Sequence, residues 1–304
     1  MKEIKASPLV SIIAVCHKQA PFVVETLESI RNQSYSNIEL IIINNVKDEC
    51  ESIIQNWIKG YDLKCFFIQN EQPKTVTQNC NIGLSNCNGK YFQTISCDDV
   101  LLIQKIEKQV EVFENLDESY VCVYSDEEKI TENGEIIVAE TMFQERLRKY
   151  NLIRMPKGNL ILYFSEVAFI SPVSTLYRTK IIKQLNGFDE DFLIEDWPLY
   201  LKLSKNNYCF DYVDEVLVQY RVLSNSLSHA RTWKYHLEHL RIYSKYADIL
   251  IKNSRTSIKI RFYLLDVAKI SFGNFIEYYF KLFRFLPKDL KSNLKFLKAA
   301  IYKK

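Results

Sequence analysis

The sequence predicts an α/β protein: a mostly parallel, doubly wound sheet followed by a helical C-terminal extension. Three observations carry that expectation. Over roughly the first hundred residues, short apolar runs alternate with helix-period segments in the order β-α-β-α-β-α-β. The connections between them are short, as parallel crossover units require. From Trp233 onward turn signals thin out, and long helical periods rich in Tyr, Phe, Leu and Lys take over.

Residues 9–16 (LVSIIAVC) are almost wholly apolar and fit a strand buried on both faces. Pro21 suits a first helical turn, and Phe22, Val23, Thr26, Leu27 and Ile30 follow at helical spacing. Residues 37–45 (NIELIIINN) form a second buried strand that ends in two asparagines. Residues 51–58 make a helix with Ile53, Ile54, Trp57 and Ile58 on one side. Residues 63–68 are the third strand, and 75–86 a helix striped by Val76, Cys80 and Leu84. The Asn88-Gly89 turn opens the fourth strand, 91–95, which runs into Ser96-Cys97-Asp98-Asp99.

A helix over 107–115 and a strand over 120–125 come next. Asn133-Gly134 predicts a hairpin turn into a returning strand at 135–138. Residues 143–163 read as an irregular helix and then a loop around Pro156-Lys157-Gly158. A strand at 172–177 precedes a short helix at 181–185, closed by Asn186-Gly187. An acidic loop, 188–195, leads to a helix over 197–205 and a last strand over 213–220. A boundary is expected near residue 230, dividing 1–230 from a basic, aromatic-rich region 231–304.

Composition narrows the class. The chain has 304 residues, 47% hydrophobic and 25% charged, enough for one large domain with an appendage. Residues 231–304 hold 17 Lys and Arg against 5 Asp and Glu, whereas the preceding part holds 23 against 32. A basic tail on an acidic body points to an anionic partner. Its aromatic pattern suits a membrane surface, or a helical pair packed on the body or in a homodimer, rather than nucleic acid. The eight cysteines include no C-x-x-C pair and read as core thiols of a reducing compartment. No signal peptide and no membrane span are expected.

In an open parallel sheet, ligands bind beyond the carboxyl ends of the strands. Cys16-His17-Lys18, Asn44-Asn45 and residues 96–99 all fall there. Acids at such an edge suit a hard cation that arrives with substrate phosphates. Asp98 and Asp99 fit a helix cap as well.

Four pieces in order resemble a bacterial family 2 glycosyltransferase of the GT-A fold. They are residues 10–45, 79–101 (NCNIGLSNCNGKYFQTISCDDVL), 185–205 (LNGFDEDFLIEDWPLYLKLSK) and 216–228 (VLVQYRVLSNSLS). The resemblance implies inverting transfer of a sugar from a nucleotide sugar to a hydroxyl of a glycan or lipid-linked acceptor. It implies Mn2+ or Mg2+ held by Asp98, with His229 as a further contact. Asp196 matches the general base, with Glu195 orienting it or touching the acceptor. Ala14, Asn44 and Asn45 are carried over for the nucleoside, Asn81 and Ser96 nearby, and Arg221 either toward the phosphates or stacked in the core; Asn79 is a further candidate. A UDP-sugar is the favoured donor, with GDP and dTDP sugars as alternatives. The implied place of work is cytoplasmic, peripheral at the inner face of the cell membrane.

The chain departs from the family pattern in instructive places. Ser96 stands where an acid is usual, so Asp98 is expected to hold metal chiefly with the help of the donor diphosphate. Asn44 and Asn45 replace acids at the base-reading strand end, and Cys80 replaces an arginine. These losses keep a non-catalytic nucleotide-sugar-binding or scaffolding protein as the alternative. A nucleotidyltransferase is disfavoured, because the loop after the first strand has no glycine.

Overall fold

The computed structural model describes residues 7–61, 64–165, 168–223, 233–250, 260, 263–264, 267 and 271–283. The predicted alternation is present. Strands β1 (Val10–Cys16), β2 (Ile38–Asn44), β3 (Cys65–Gln69) and β4 (Tyr91–Ser96) alternate with helices α1 (Val23–Arg31), α2 (Glu49–Lys59) and α3 (Val76–Asn86). Next come β5 (Val100–Leu101), α4 (Lys105–Glu114), β6 (Tyr120–Ile130), α5 (Met142–Tyr150) and α6 (Ile161–Phe164). The body closes with β7 (Thr175–Arg178), α7 (Thr179–Gln184), α8 (Asp196–Lys205) and β8 (Cys209–Arg221). Helices α9 (Trp233–Lys245), α10 (Ala247–Leu250) and a helix over Phe272–Phe283 follow.

One eight-stranded sheet runs in the order β3-β2-β1-β4-β7-β6-β8-β5. β3, β2, β1 and β4 are parallel neighbours, β7 is antiparallel to β4 and β6, and β8 is again parallel to β6. The apolar runs of β1 and β2 are buried on both faces, as their sequences require. Ile13, Ile41 and Ile43 pack in one core cluster with Leu84, Trp197 and Leu201. Ile12, Ala14 and Ile42 pack in the other with Leu27, Ile54 and Ile106.

Several expectations change. β6 runs on to Ile130, past the apolar run that marks it. The expected return strand at 135–138 is only a single bridge, Ile130 to Ile136. Gly134 makes the turn at positive φ, 84°, but Ile136 and Val138 are exposed and have no sheet face to bury. β5 carries no period signal, being two residues long, yet it pairs antiparallel with Val218 and Gln219 of β8.

The C-terminal helices pack on the body. Leu240, Tyr243, Phe275 and Leu282 share a core cluster with Trp197 and Tyr200. Among the described residues no helix is long and apolar enough to cross a membrane. The basic stretch from Lys288 to Lys304 lies outside the described residues.

At the opposite edge of the sheet, Glu39 is buried at the start of β2. Its carboxylate accepts from Ser11 Oγ at 2.6 Å, Asn88 N at 2.6 Å and Lys64 Nζ at 2.8 Å. Burial alone would raise its pKa, but these donors hold it down at about 2. A depressed folded pKa stabilises the fold above the ordinary carboxylate range and is lost as pH falls toward 2. Glu39→Gln is therefore expected to cost about 1–3 kcal/mol at pH 7 in urea melts. The variant and wild type should converge as the melts are repeated at pH 4 and pH 3.

Candidate active site

The carboxyl ends of β1, β2, β3 and β4 share one edge. β8 parallels β6, so α8, which precedes β8, starts at that edge as well. Backbone geometry thus brings the Asp98 turn and the Glu195-Asp196 pair to the same end of the sheet.

The loop after β1 is tightly held. Lys18 is a non-glycine residue at φ 57°, a local strain of the sort that clusters at functional sites. His17 N donates to Gln19 Oε1 at 3.0 Å, and Gln19 Nε2 donates to Ser96 Oγ at 2.8 Å. A chain of amides continues from there. Asn45 Nδ2 lies 3.2 Å from His17 Nδ1, and Asn45 Oδ1 accepts from Asn70 Nδ2 at 3.0 Å. Asn70 Nδ2 also meets Asn79 Oδ1 at 2.7 Å. Asn44 donates to Val46 O, Asp48 Oδ1 and Gln69 Oε1. Two buried atoms at this end, Asn44 Oδ1 and Asn79 Nδ2, find no hydrogen-bond partner. An unmet acceptor and an unmet donor at this end are what the polar edge of a base could satisfy.

Residues 97–99 join β4 to β5. Asp99 is buried: its Oδ1 accepts from Arg221 N at 3.0 Å, and its carbonyl accepts from Thr26 Oγ1 at 2.7 Å. Burial and the neighbouring Asp98 push its carboxyl well above the ordinary range. Asp98 is partly exposed, and its carboxylate makes no hydrogen bond or ion pair to another described residue. That leaves it available to a cation. Among the described residues no group of three His, Cys, Asp or Glu side chains could hold a metal unaided. One carboxylate with substrate phosphates is nonetheless an ordinary ligand set for Mg2+. The residues fit a divalent cation whose shell the diphosphate completes.

Arg221 is placed as a clamp. Its side chain is 1% exposed. Nε donates to Asp98 O at 2.8 Å, Nη1 to Thr131 O and Glu132 O, and Nη2 pairs with Glu25 at 2.6 Å. It also stacks over Phe22. These contacts are all within the protein, and they fix the Asp98 turn.

Glu195 and Asp196 open α8. Trp197 N donates to Asp196 Oδ1 at 2.6 Å. Below them the Tyr177 and Tyr200 hydroxyls bond each other at 2.9 Å, and the Cys80 thiol is buried within reach of both charges. Burial pushes both carboxyls up, and the charge on Asp196 adds to the rise at Glu195. Two neighbouring carboxyls without a cation cannot both ionise easily.

Sequence-predicted residues are thus dispersed. Ser96, Asp98, Asn44, Asn45, Glu195 and Asp196 gather at the edge. Ala14 does not: it is fully buried in the core against α1 and α2, because alternation along β1 turns it inward. Asn81 is engaged elsewhere. Its side chain bonds Phe188 O, Phe188 N and Glu190, holding the loop before α8. Gly187 is required there, at φ 65°, since a Cβ would strike Asn81 Oδ1. His229 lies outside the described residues. Sequence reasoning missed Gln19 and Asn70.

A family model described as glycosyl transferase family 2 matches residues 11–185. The chain belongs to this family. The glycosyltransferase MJ1057 of Methanocaldococcus jannaschii is 29% identical over 221 residues, 71% of each chain. The glycosyltransferase RT0329 of Rickettsia typhi is 30% identical over 225 residues, 73% of this chain and 66% of its own. The O-antigen biosynthesis glycosyltransferase WbnJ of Escherichia coli is 28% identical over 225 residues, 72% of this chain and 81% of its own. Among solved structures, TarS 1-349 of S. aureus in complex with UDP-GlcNAc superposes with a TM-score of 0.66 at 15% identity, covering 92% of this chain and 82% of that one. The mannosyltransferase PcManGT of Pyrobaculum calidifontis, in complex with GDP-Man and Mn2+, gives a TM-score of 0.64 at 15% identity, covering 98% and 87%. The family 2 fold places these strands as expected, and the protein is a glycosyltransferase.

The clamp can be tested by Arg221→Met. Loss of its carbonyl and carboxylate partners should cost about 2–4 kcal/mol in denaturant melts. Glu25→Gln, which removes only the half-exposed partner, should cost less than about 1 kcal/mol.

Proposed function

We propose that this family 2 glycosyltransferase is inverting and metal-assisted, with Asp196 as its general base. It moves a sugar from a nucleoside-diphosphate sugar to a hydroxyl of a glycan or lipid-linked acceptor. One observation carries the reading: a pair of adjacent carboxyls with raised pKa values and an unpaired carboxylate stand at one sheet edge. The Asp98 carboxylate is partly exposed and has no partner among the described residues, so a cation can reach it. A divalent cation there would supply positive charge to the departing diphosphate. Asp196 is desolvated, and a raised pKa makes it a stronger base for a hydroxyl proton.

The reaction follows from that arrangement. The nucleoside lies over the end of β1 and the amide chain from His17 to Asn79. UDP is favoured over GDP and dTDP, in line with the UDP-GlcNAc complex of TarS. Asp196 takes the acceptor proton as the acceptor oxygen attacks the anomeric carbon from the face opposite the diphosphate. Glu195 holds the acceptor or the neighbouring carboxyl in place. The product inverts, and no covalent enzyme intermediate forms. A lipid-linked acceptor would put the work at the inner face of the membrane, where the basic region 231–304 meets anionic headgroups.

Two outcomes are expected. Asp196→Asn should lower the transfer rate about 10²–10⁴-fold with the melting temperature held. Because the base must be unprotonated and its pKa is raised to about 6, wild-type rate at saturating donor should fall below pH 6 and level off above it. A flat acid limb down to pH 4.5, or full activity in the variant, would remove Asp196 from the role.

Metal should bind cooperatively with nucleotide. Mn2+ alone should barely move the melting temperature, whereas Mn2+ with UDP or GDP should raise it by several degrees. Asp98→Ala should abolish the joint shift while the Mn2+-free response to nucleotide persists. Tight Mn2+ binding to the empty protein would contradict this ligand set.

A further inference from the structure

Residues 146–165 hold five Lys and Arg and no Asp or Glu. They cover the end of α5, the loop after it and α6. The loop is pinned on both sides of its apex. Asn151 closes α5 in the left-handed conformation, at φ 52°, and Leu152 N donates to Leu147 O at 2.9 Å. Pro156 O accepts from Tyr124 Oη at 2.6 Å. Gly158 and Phe210 exchange backbone hydrogen bonds at 2.8 and 2.9 Å. Met155 is buried. Between these anchors Ile153 is fully exposed, at 101%, and Arg154 is exposed beside it. The fold itself holds this isoleucine in water.

A second apolar side chain is exposed nearby. Leu162 of α6 is 78% exposed. Tyr150 at the end of α5 and Tyr163 of α6 meet edge to face at 6.0 Å, and both rings pack on Phe169. Each tyrosine is partly exposed. Their contact draws Leu162 and the Ile153 loop to one part of the surface. Cations stand there too. Lys149 lies over the Tyr150 ring at 5.4 Å, and neither Lys149 nor Arg154 has an ion-pair partner among the described residues. The patch is on the side of Asp196. Phe164 O of α6 accepts from Trp197 Nε1 at 2.7 Å, and Trp197 also packs on α9.

We propose that this α5–α6 surface docks on an anionic lipid bilayer. A single exposed isoleucine is ordinary on a protein surface. Here two apolar tips stand with partly exposed tyrosines and unpaired cations, in a stretch without one carboxylate. That is the chemistry of an interfacial segment. Apolar tips enter the acyl boundary, tyrosines sit at headgroup level, and Lys and Arg meet lipid phosphates. A second copy of the chain fits poorly, because a two-fold contact would set the same unpaired cations against each other. A soluble polyanion would engage the cations and leave Ile153 and Leu162 in water. The surface lies outside the basic region 231–304, and docking through it needs no step of the transfer reaction. It would turn the Asp196 side of the protein toward the bilayer.

Flotation of the full chain with vesicles tests this. One set is phosphatidylcholine alone, and the other is phosphatidylcholine and phosphatidylglycerol in equal parts. Wild type should float with the mixed vesicles and far less with phosphatidylcholine, and high salt should weaken the binding. Ile153→Ser combined with Leu162→Ser should lower the partition coefficient about tenfold or more. Lys149→Gln combined with Arg154→Gln should lower it on mixed vesicles about tenfold or more. Phe66→Ser removes an exposed apolar side chain from β3, at the far end of the strand order, and should leave binding unchanged. Melting temperatures should hold, since the side chains removed are exposed. Hydrogen exchange on wild type reads the same contact without a substitution: mixed vesicles should slow the amides of residues 148–165. Wild type that fails to float, paired variants that float as wild type does, or unchanged exchange over 148–165 would each overturn the proposal. A protein that docks through this face but transfers no sugar would remove the proposed function and leave the docking surface standing.

Discussion

The last residue of β8 holds several distant stretches together. Arg221 reaches α1 through Glu25, the turn after β6 through Thr131 and Glu132, and the Asp98 carbonyl. Its own N–H meets the Asp99 carboxylate. A guanidinium can do this because its donors form a rigid planar fork. The two adjacent aspartates consequently divide their labour. Asp99 is spent on the turn, and Asp98 is left on the surface of it with a free carboxylate. A lysine, with one compact charge, would satisfy fewer of these carbonyls at once.

At the other side of the site, desolvation is the governing effect. Glu195 and Asp196 sit at the start of α8, where the helix dipole favours negative charge. Burial outweighs that help and raises both. Cys80, which supplies no charge, lies under them where a cation would have lowered both. One edge of the sheet thus holds an unpaired carboxylate and a pair whose basicity is raised by burial.

The β-α alternation was legible because β1, β2 and β4 are buried on both faces and their helices on one. Asp98 stood out because acids follow the apolar run of β4, whereas Glu195 and Asp196 stood out through the resemblance of residues 185–205 to family 2. Other residues did not. Ala14 has no signal that separates an inward from an upward position at the end of a strand. By sequence Arg221 reads either as a phosphate contact or as a core residue, and only the two-residue β5 beside β8 explains why it is a buried clamp. The end of β6 was lost because acids interrupt its apolar period, although the same pattern had flagged Asp98. Residues 135–138 carry strand-like residues but no partner face, so propensity alone misled.

The loop before α8 shows a further dependence. Lys245 pairs with Asp189 and Asp191, Arg241 donates to Asp191 O, and Glu238 accepts from Leu193 N. Trp197, next to Asp196, packs against His239 and Tyr243 of the same helix α9. The change in composition near residue 230 is therefore a border in charge and not in cohesion. Helix α9 is part of the frame that seats the Glu195-Asp196 pair, so this helix and the loop before α8 hold their places together. A graft of another tail onto this body would have to rebuild the socket for that loop.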